Sequence, residues 1–313
     1  MKHIFVINPA AGKNKRVLKI IPELEQYFSK GAGNGLEYQT YITKGPGDAT
    51  RFVRETSAKN PDDELRFYAC GGDGTLMEVL NGVFGYPNAV ISCFPLGSAN
   101  DYIKNFLHPN SSVSAGNFGS IDAQVNGTPM LVDTVDCNGL KAFNICAVGM
   151  DADVGARMVY FKKFPLVTGP MAYSLAVIYM FFHKIGRALN VTIETENGIH
   201  EESGDYLFCL GANGQYYGGG HHAAPQAVVD DGAMDVELIR TVGRFSALGF
   251  LKKYKHGKHL DMDIVKSFRS RSVTIRSDRP VTFIVDGESG AASEVVFKLL
   301  PASVKFVLPV PGN

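Results

Sequence analysis

The sequence predicts two domains, a three-layer α/β domain around a parallel sheet and then a β-rich domain. Three observations predict this. Short apolar runs alternate with helix-period patterns up to about Asp101. After about Ile121 the chain becomes a succession of β-type runs. A length of 313 residues suits two hydrophobic cores better than one.

The N-terminal elements follow in order. Ile4 to Ile7 reads as a buried strand, leading into Asn8-Pro9-Ala10-Ala11-Gly12. A helix carries Val17, Ile21, Leu24 and Phe28 on one face, and Pro22 is expected to bend it. A strand at Tyr38 to Ile42 runs into Thr43-Lys44-Gly45-Pro46-Gly47-Asp48. Asp48 is suited to cap a helix bearing Ala49, Phe52, Val53 and Thr56. Leu65 to Cys70 is the central strand, followed by Gly71-Gly72-Asp73-Gly74-Thr75 and an amphipathic run through Leu76, Val79, Leu80 and Val83. Ala89 to Phe94 is a fourth strand, ending in Pro95-Leu96-Gly97-Ser98-Ala99-Asn100-Asp101.

In a parallel α/β sheet, ligands bind beyond the carboxyl ends of the strands. Three polar, glycine-bearing loops fall there: Asn8 to Gly12, Gly71 to Thr75 and Gly97 to Asp101. Glycine lets backbone approach an anion, and N–H groups at a helix start point towards it, so the Gly71–Thr75 junction suits phosphate. Asp73 would repel bare phosphate, which makes sense if Mg²⁺ or a hydroxyl lies between them. The chemistry pointed to is nucleotide binding.

The second domain is expected from about Val125 to Met130 onwards, where Asn126-Gly127-Thr128-Pro129 makes a turn. We place the division after residue 127, with 1–127 as the nucleotide domain and 128–303 as the β-rich domain. Helical patterns in this half are confined mainly to Asp153–Phe161, Pro170–Lys184 and Arg244–Gly257. Asp133 and Asp122 are candidate site carboxylates. His221-His222 lacks a third ligand at zinc spacing. Asp230-Asp231-Gly232 offers oxygens that suit a hard cation, or a plain turn. Asp286-Gly287-Glu288 puts two carboxylates after a strand, where one can serve as a general base.

Composition narrows the setting. Formal net charge is zero, so no global field recruits DNA or RNA, and we expect no nucleic-acid partner. Cys70, Cys93, Cys137, Cys146 and Cys209 lie in apolar contexts and read as buried thiols of a cytoplasmic protein. The apolar run Met171 to Phe182 falls short of the ~20 residues that span a bilayer, and the N-terminal run is too short for a signal peptide. Together with Phe161, Lys162, Lys163 and Phe164, the Met171–Phe182 run is a candidate lipid-facing element.

Gly71 to Thr75 resembles the nucleotide signature shared by diacylglycerol kinases, sphingosine-type lipid kinases, NAD kinases and phosphofructokinases. Within that group the whole chain resembles the soluble bacterial diacylglycerol kinase and lipid kinase family. The opening Asn8-Pro9-x-x-Gly12, Glu78 and Asn81 after the glycine signature, and Pro95 to Asp101 all match it, with Ser98 standing where threonine is common. So do Asp133 with Asn144 and Gly149-Met150-Asp151, then Gly218-Gly219-Gly220, Ala224-Pro225-Gln226-Ala227, Asp231-Gly232 and Asp286-Gly287-Glu288. NAD kinase is the nearest rival, but its Gly-Ser-Thr-Ala-Tyr motif has only a loose echo in Gly169 to Tyr173. A non-catalytic nucleotide-binding protein on the same fold is a further alternative.

The resemblance implies a β-sandwich-like second domain, with residues 304–313 returning to the first. It implies ATP and Mg²⁺, a lipid hydroxyl as acceptor at the membrane surface, peripheral contact with that surface, and leaves a homodimer open. It assigns nucleotide contacts to Asn8, Pro9, Ala10, Ala11, Gly12, Thr43, Gly72, Asp73, Gly74, Thr75, Leu76, Met77, Glu78 and Ser98. It puts a structural Mg²⁺ on the Asp231 carboxylate and the carbonyls of Val228 and Ala233. It draws the base from Asp286 or Glu288, and gives Asp73, Asp101 and Asp133 the organisation of the catalytic Mg²⁺.

Overall fold

The computed structural model describes residues 1–12, 16–149, 160, 161, 164, 167, 175 and 186–311. Met150 and Asp151, Lys162 and Lys163, the run Met171–Phe182 apart from Leu175, and most of the helical patterns over 153–161 and 170–184 lie outside the described residues. The chain forms two compact units, Met1–Asp133 with Pro301–Asn313, and Thr134–Leu300. The division falls within strand β5 (Thr128–Cys137), and the chain returns within β15 (Glu288–Leu308).

The first unit is built on β1 (Lys2–Ile7), β2 (Glu37–Ile42), β3 (Leu65–Gly71) and β4 (Ala89–Pro95). Their order is β2-β1-β3-β4 and every pairing is parallel. The end of β15 extends the sheet beside β4, also in parallel, with Phe306 opposite Ile91. All seven residues of β3 are buried, as a central strand covered on both faces must be. The chain leaves β1 to one side for β2 and continues on the other with β3. The order therefore reverses at the carboxyl ends of β1 and β3, which is where such sheets place ligands.

Helix α1 (Ile20–Lys30) buries Ile20, Leu24 and Phe28, and a 3₁₀ turn before it buries Val17. Pro22 lies in the first turn of α1, where a missing N–H forfeits no hydrogen bond, so it starts the helix rather than bending its middle. Helix α2 (Asp48–Lys59) buries Ala49, Val53 and Ser57. The cap position belongs to Gly47, at φ 78°, and not to Asp48 as the sequence suggested. Asp48 instead accepts the Lys44 N–H at 2.8 Å and pairs with Arg51 at 2.6 Å. Phe52, expected on the core face, stacks on Tyr41 at 3.7 Å between ring centroids. Helix α3 (Asp73–Val83) packs so closely on α2 that a Cβ on Gly82 would lie 2.6 Å from the Cβ of Val53.

The second unit is antiparallel. Strand β9 (Gly198–Ala212) pairs with β8 (Arg187–Thr195) along its first part and with β7 (Ile145–Gly149) along its last. Strand β14 (Ser272–Val285) divides in the same way, Ser272–Arg276 against β8 and Phe283–Val285 against β7. The four strands close a circuit, the sandwich-like arrangement expected. Strand β12 (Met234–Arg240) extends it from β9, and β13 (Val265–Ser270) lies on β12. Between these two, the helix Arg244–Tyr254 buries Ala247, Phe250 and Tyr254. Phe250 and Tyr254 join a cluster with Ile145, Ala147, Phe208 and Ala224.

Asp235 on β12 sits directly across from Arg269 on β13, with 3.6 Å between charged atoms. Burial pushes its carboxyl up to about 6, with Arg269 pulling the other way and Asp231 and Glu237 adding repulsion. An acid with a raised folded pKa holds its proton longer in the native state. Its contribution is therefore lost as pH rises from the unfolded value near 4 through about 6. Asp235→Asn should remove that loss. Melting temperatures across pH 4 to 7 should show the variant gaining on the native protein as pH rises, and parallel curves would contradict the assignment.

Candidate functional site

The three loops at the carboxyl ends of β1, β3 and β4 are tied to one another by specific bonds. The Asn8 N–H donates to the Cys70 carbonyl at 3.0 Å. Its side-chain Oδ1 accepts the Ala10 N–H and its Nδ2 donates to Thr75 Oγ1, both at 3.0 Å. The Leu96 N–H donates to the Gly71 carbonyl at 2.8 Å, joining the second loop to the third. A Cβ on Gly97 would lie 2.3 Å from the Gly72 Cα, and one on Gly12 would lie 2.8 Å from the Leu96 carbonyl oxygen. Gly12 also has φ 72°, a conformation that side chains disfavour. The loops thus meet backbone to backbone.

No side chain caps α3, whose N-cap is Gly72. The Thr75 and Leu76 N–H groups close back on the Gly72 carbonyl at 3.0 and 3.1 Å, so the helix begins beside the converging loops, a position that suits an anion. Leu76 and Met77 are buried, so only their backbone can serve a ligand, whereas Gly74 and Ser98 are exposed. Pro9, Ala10 and Ala11 lie half-exposed or exposed at the mouth of the first loop. Thr43 is buried and its N–H donates to the Ile7 carbonyl at 2.8 Å. The Glu78 carboxylate accepts the N–H groups of Gly47 at 3.0 Å and Ala49 at 3.1 Å, so it holds the start of α2 in place.

Asp73 is the acidic member of this group. Its Oδ1 accepts the Asp101 N–H at 2.7 Å. Burial raises the Asp73 carboxyl above its ordinary range, and the neighbouring Asp101 charge raises it further. Asp101 is itself buried and pairs with Lys104 at 2.5 Å. A cation beside Asp73 would relieve both effects. Asp73 is therefore the carboxylate here that suits a cation, whereas Asp101 already has Lys104 as its partner.

The other predicted carboxylates have structural partners. Asp133 accepts the Ala302 N–H at 2.7 Å, and Ala302 has φ 46°. Asp286, at φ 44°, accepts the N–H groups of Phe143 at 2.6 Å, Asn144 at 3.1 Å and Ile145 at 2.9 Å. That carboxylate organises the turn between β6 (Leu140–Ala142) and β7. The Glu288 side chain is exposed and has no hydrogen-bond or ion-pair partner among the described residues.

The Asp231 carboxylate, expected to hold a magnesium ion with the Val228 and Ala233 carbonyls, is already partnered. One Asp231 oxygen accepts the Ala233 N–H at 3.1 Å, and the other pairs with Arg269 at 2.6 Å. The guanidinium already supplies the positive charge, and a cation would have to displace it. His221 and His222 bond within their own loop region, to the Gly218 carbonyl and the Gln215 side chain.

Two residues shape the site without having been assigned to it. Asn100, at φ 50°, accepts the Gly97 N–H and donates to the Pro95 and Gly97 carbonyls, closing the third loop. An asparagine ending a glycine-serine loop is a signal for such a left-handed turn. Lys104 stands three residues after Asp101 in a 3₁₀ turn, a spacing that brings the two together.

Comparison with known proteins agrees with this architecture. Residues 2–135 match the diacylglycerol kinase catalytic domain, and residues 144–308 match the YegS C-terminal NAD kinase beta sandwich-like domain. The chain belongs to the diacylglycerol kinase and YegS-like lipid kinase family. A diacylglycerol kinase of Staphylococcus epidermidis is 29% identical over 307 residues, covering 97% of this chain and 91% of that protein. A Shewanella frigidimarina protein named "Probable lipid kinase YegS-like" is 27% identical over 277 residues, covering 84% and 81%. The crystal structure of a diacylglycerol kinase from Bacillus anthracis strain Sterne superposes with a TM-score of 0.67 at 20% identity, over 98% of this chain and 96% of that one. Family membership implies a nucleotide donor. No described helix is long and apolar enough to cross a membrane.

The Gly72–Gly97 approach gives a direct test of the loop convergence. Gly97→Ala should cost about 1–3 kcal/mol in denaturant unfolding, because the added methyl meets backbone that cannot rotate away. Gly74→Ala, where the methyl enters open space, should change stability by no more than about 1 kcal/mol.

Proposed function

We propose that this protein is an ATP-dependent lipid kinase, transferring the γ-phosphoryl group to a lipid hydroxyl, with diacylglycerol as acceptor and phosphatidic acid as product. The observation that carries this reading is the convergence of three glycine loops around an uncapped helix start, with the Asp73 carboxylate beside it. Backbone N–H groups of that start would hold the phosphates. Asp73 would hold Mg²⁺, with the Asp101–Lys104 pair beside it, and the ion when bound would supply positive charge against the phosphate oxygens. Asn8 positions Thr75 through its side-chain bond, and Glu78 fixes the Thr43–Asp48 loop beside them.

The acceptor oxygen forms the new bond to phosphorus, and the bond to the β–γ bridging oxygen breaks, releasing ADP. The hydroxyl proton needs a carboxylate. Asp286 is occupied by three backbone N–H groups, and Glu288 is left to take the proton. The lipid acceptor lies in a bilayer, so the protein meets it peripherally. Labelled ATP incubated with diacylglycerol, other glycerolipids, a sphingoid base and NAD, with products read by mass, tests the class. Labelled phosphatidic acid supports the reading, and label on NAD alone overturns it.

Two variants separate the roles. Asp73→Asn keeps an oxygen for the Asp101 N–H but removes the buried charge. Turnover should fall by ~10²-fold or more, while the melting temperature at pH 7 does not fall, since a carboxyl raised by burial destabilises the fold once ionised. Glu288→Gln should lower turnover by ~10²-fold or more with the melting temperature unchanged. Near-native turnover in Glu288→Gln would remove the base.

A further inference from the structure

We propose that the end of the helix Arg244–Tyr254 and the turn after it form the surface that docks on an anionic lipid bilayer, resting on the lipid kinase reading above. From Thr241 to Leu260 the sequence has no acidic residue, although the whole chain is balanced at 31 basic and 31 acidic side chains. Within that stretch Lys252, Lys253, Lys255 and Lys258 are all exposed, with exposed His256 between them. None of the four lysines forms an ion pair with a described residue. By contrast Lys2, Lys104, Lys141 and Lys266 each do.

The patch is held on a firm base. Phe250 and Tyr254 on the same helix are buried in the second unit's aromatic cluster. The Lys255 carbonyl accepts the His222 N–H at 3.2 Å, which anchors the turn to the His221–His222 strand. Two N–H groups, from Lys255 and Lys258, donate back to Leu251 and Lys253. The four lysines thus stand on an ordered helix end and the turn that follows it.

An independent apolar feature adjoins the same cluster. Phe161 packs against it and contacts the rings of Tyr160 and Phe164 at 5.6 and 6.4 Å. Tyr160 and Phe164 are 49% and 48% exposed, unusual for rings that a core could have absorbed. Exposed rings and unpaired lysines together are the two components of interfacial binding, rings entering the headgroup region and ammonium groups meeting anionic lipid. A bilayer takes up both components at once, and the proposed acceptor lies in one.

Vesicle sedimentation tests this without requiring turnover. The native protein should pellet with phosphatidylglycerol-containing vesicles, release as salt is raised, and stay in the supernatant with phosphatidylcholine alone. Each lysine near such a surface is worth about fivefold in partitioning, so Lys252→Glu/Lys255→Glu should weaken binding at least tenfold. The control Lys59→Glu/Lys298→Glu makes the same charge change elsewhere and should bind as the native protein does. Lys252→Gln/Lys255→Gln gives a milder version, and unchanged melting temperatures establish that the variants are folded. Unchanged binding in the Lys252/Lys255 variants, or equal losses in the control, overturns the proposal. Turnover on a dispersed short-chain diacylglycerol separates the two readings. Loss on vesicles with full turnover on the dispersed acceptor supports the docking surface, whereas no turnover on either acceptor fails the kinase and leaves the binding result standing.

Discussion

A Cβ on Gly97 would fall 2.3 Å from the Cα of Gly72, and much of the first unit's chemistry follows from that absence of side chains. Adjacent parallel strands deliver their loops side by side, but ordinary residues would hold those loops apart by the thickness of two side chains. With glycine at both positions, the start of α3 comes within reach of the turn after β4. The Asp101 N–H can then bond to Asp73, and the Leu96 N–H to the Gly71 carbonyl. The uncapped N–H groups of α3 and the two carboxylates come to share one small volume. Parallel register at the centre of the sheet makes this arrangement rigid, since β3 is buried along its whole length.

Carboxylates in this protein divide according to what already balances them. Glu78, Asp133 and Asp286 accept backbone N–H groups, and Asp231 pairs with Arg269. Each thereby fixes a loop or a turn. Asp73 is in a different state, because burial and the Asp101 charge both work against its ionised form. Lys104 compensates Asp101 but leaves Asp73 with hydrogen bonds alone. A group held in an environment unfavourable to its own charge is poised for a ligand that supplies the missing one. This distinction singles out Asp73 among carboxylates that the sequence treats alike.

How far the sequence could be read follows from the range of the interactions. The glycine loops were legible because close backbone approach admits few residue types, and the strand–helix alternation placed them at one edge of a parallel sheet. Helix faces such as Leu24 and Phe28, or Ala49 and Val53, were legible because their spacing is local. Asp286 was not, since its partners Phe143, Asn144 and Ile145 are more than 140 positions away, and an Asp-Gly-Glu turn looks equally fit for catalysis or for holding backbone. The Asp231–Arg269 pair was not legible for the same reason: Arg269 reaches it across the β12–β13 pairing, and nothing near Asp231 in the chain announces a guanidinium. Asp48 failed on a local point, because Gly47 can adopt the left-handed conformation and takes the cap position first.

The Asp286-Gly287-Glu288 turn shows how structure resolves what a motif leaves open. Two acids two residues apart in a chain are chemically interchangeable as bases. Folding removes that equivalence by spending one of them on backbone N–H groups. With Asp286 bound to three donors, removing its charge would loosen the start of β7. Glu288, exposed at the first position of β15, carries no such duty. By holding the turn before β7 and donating its own N–H to the Ile145 carbonyl, Asp286 also fixes the place from which Glu288 begins β15.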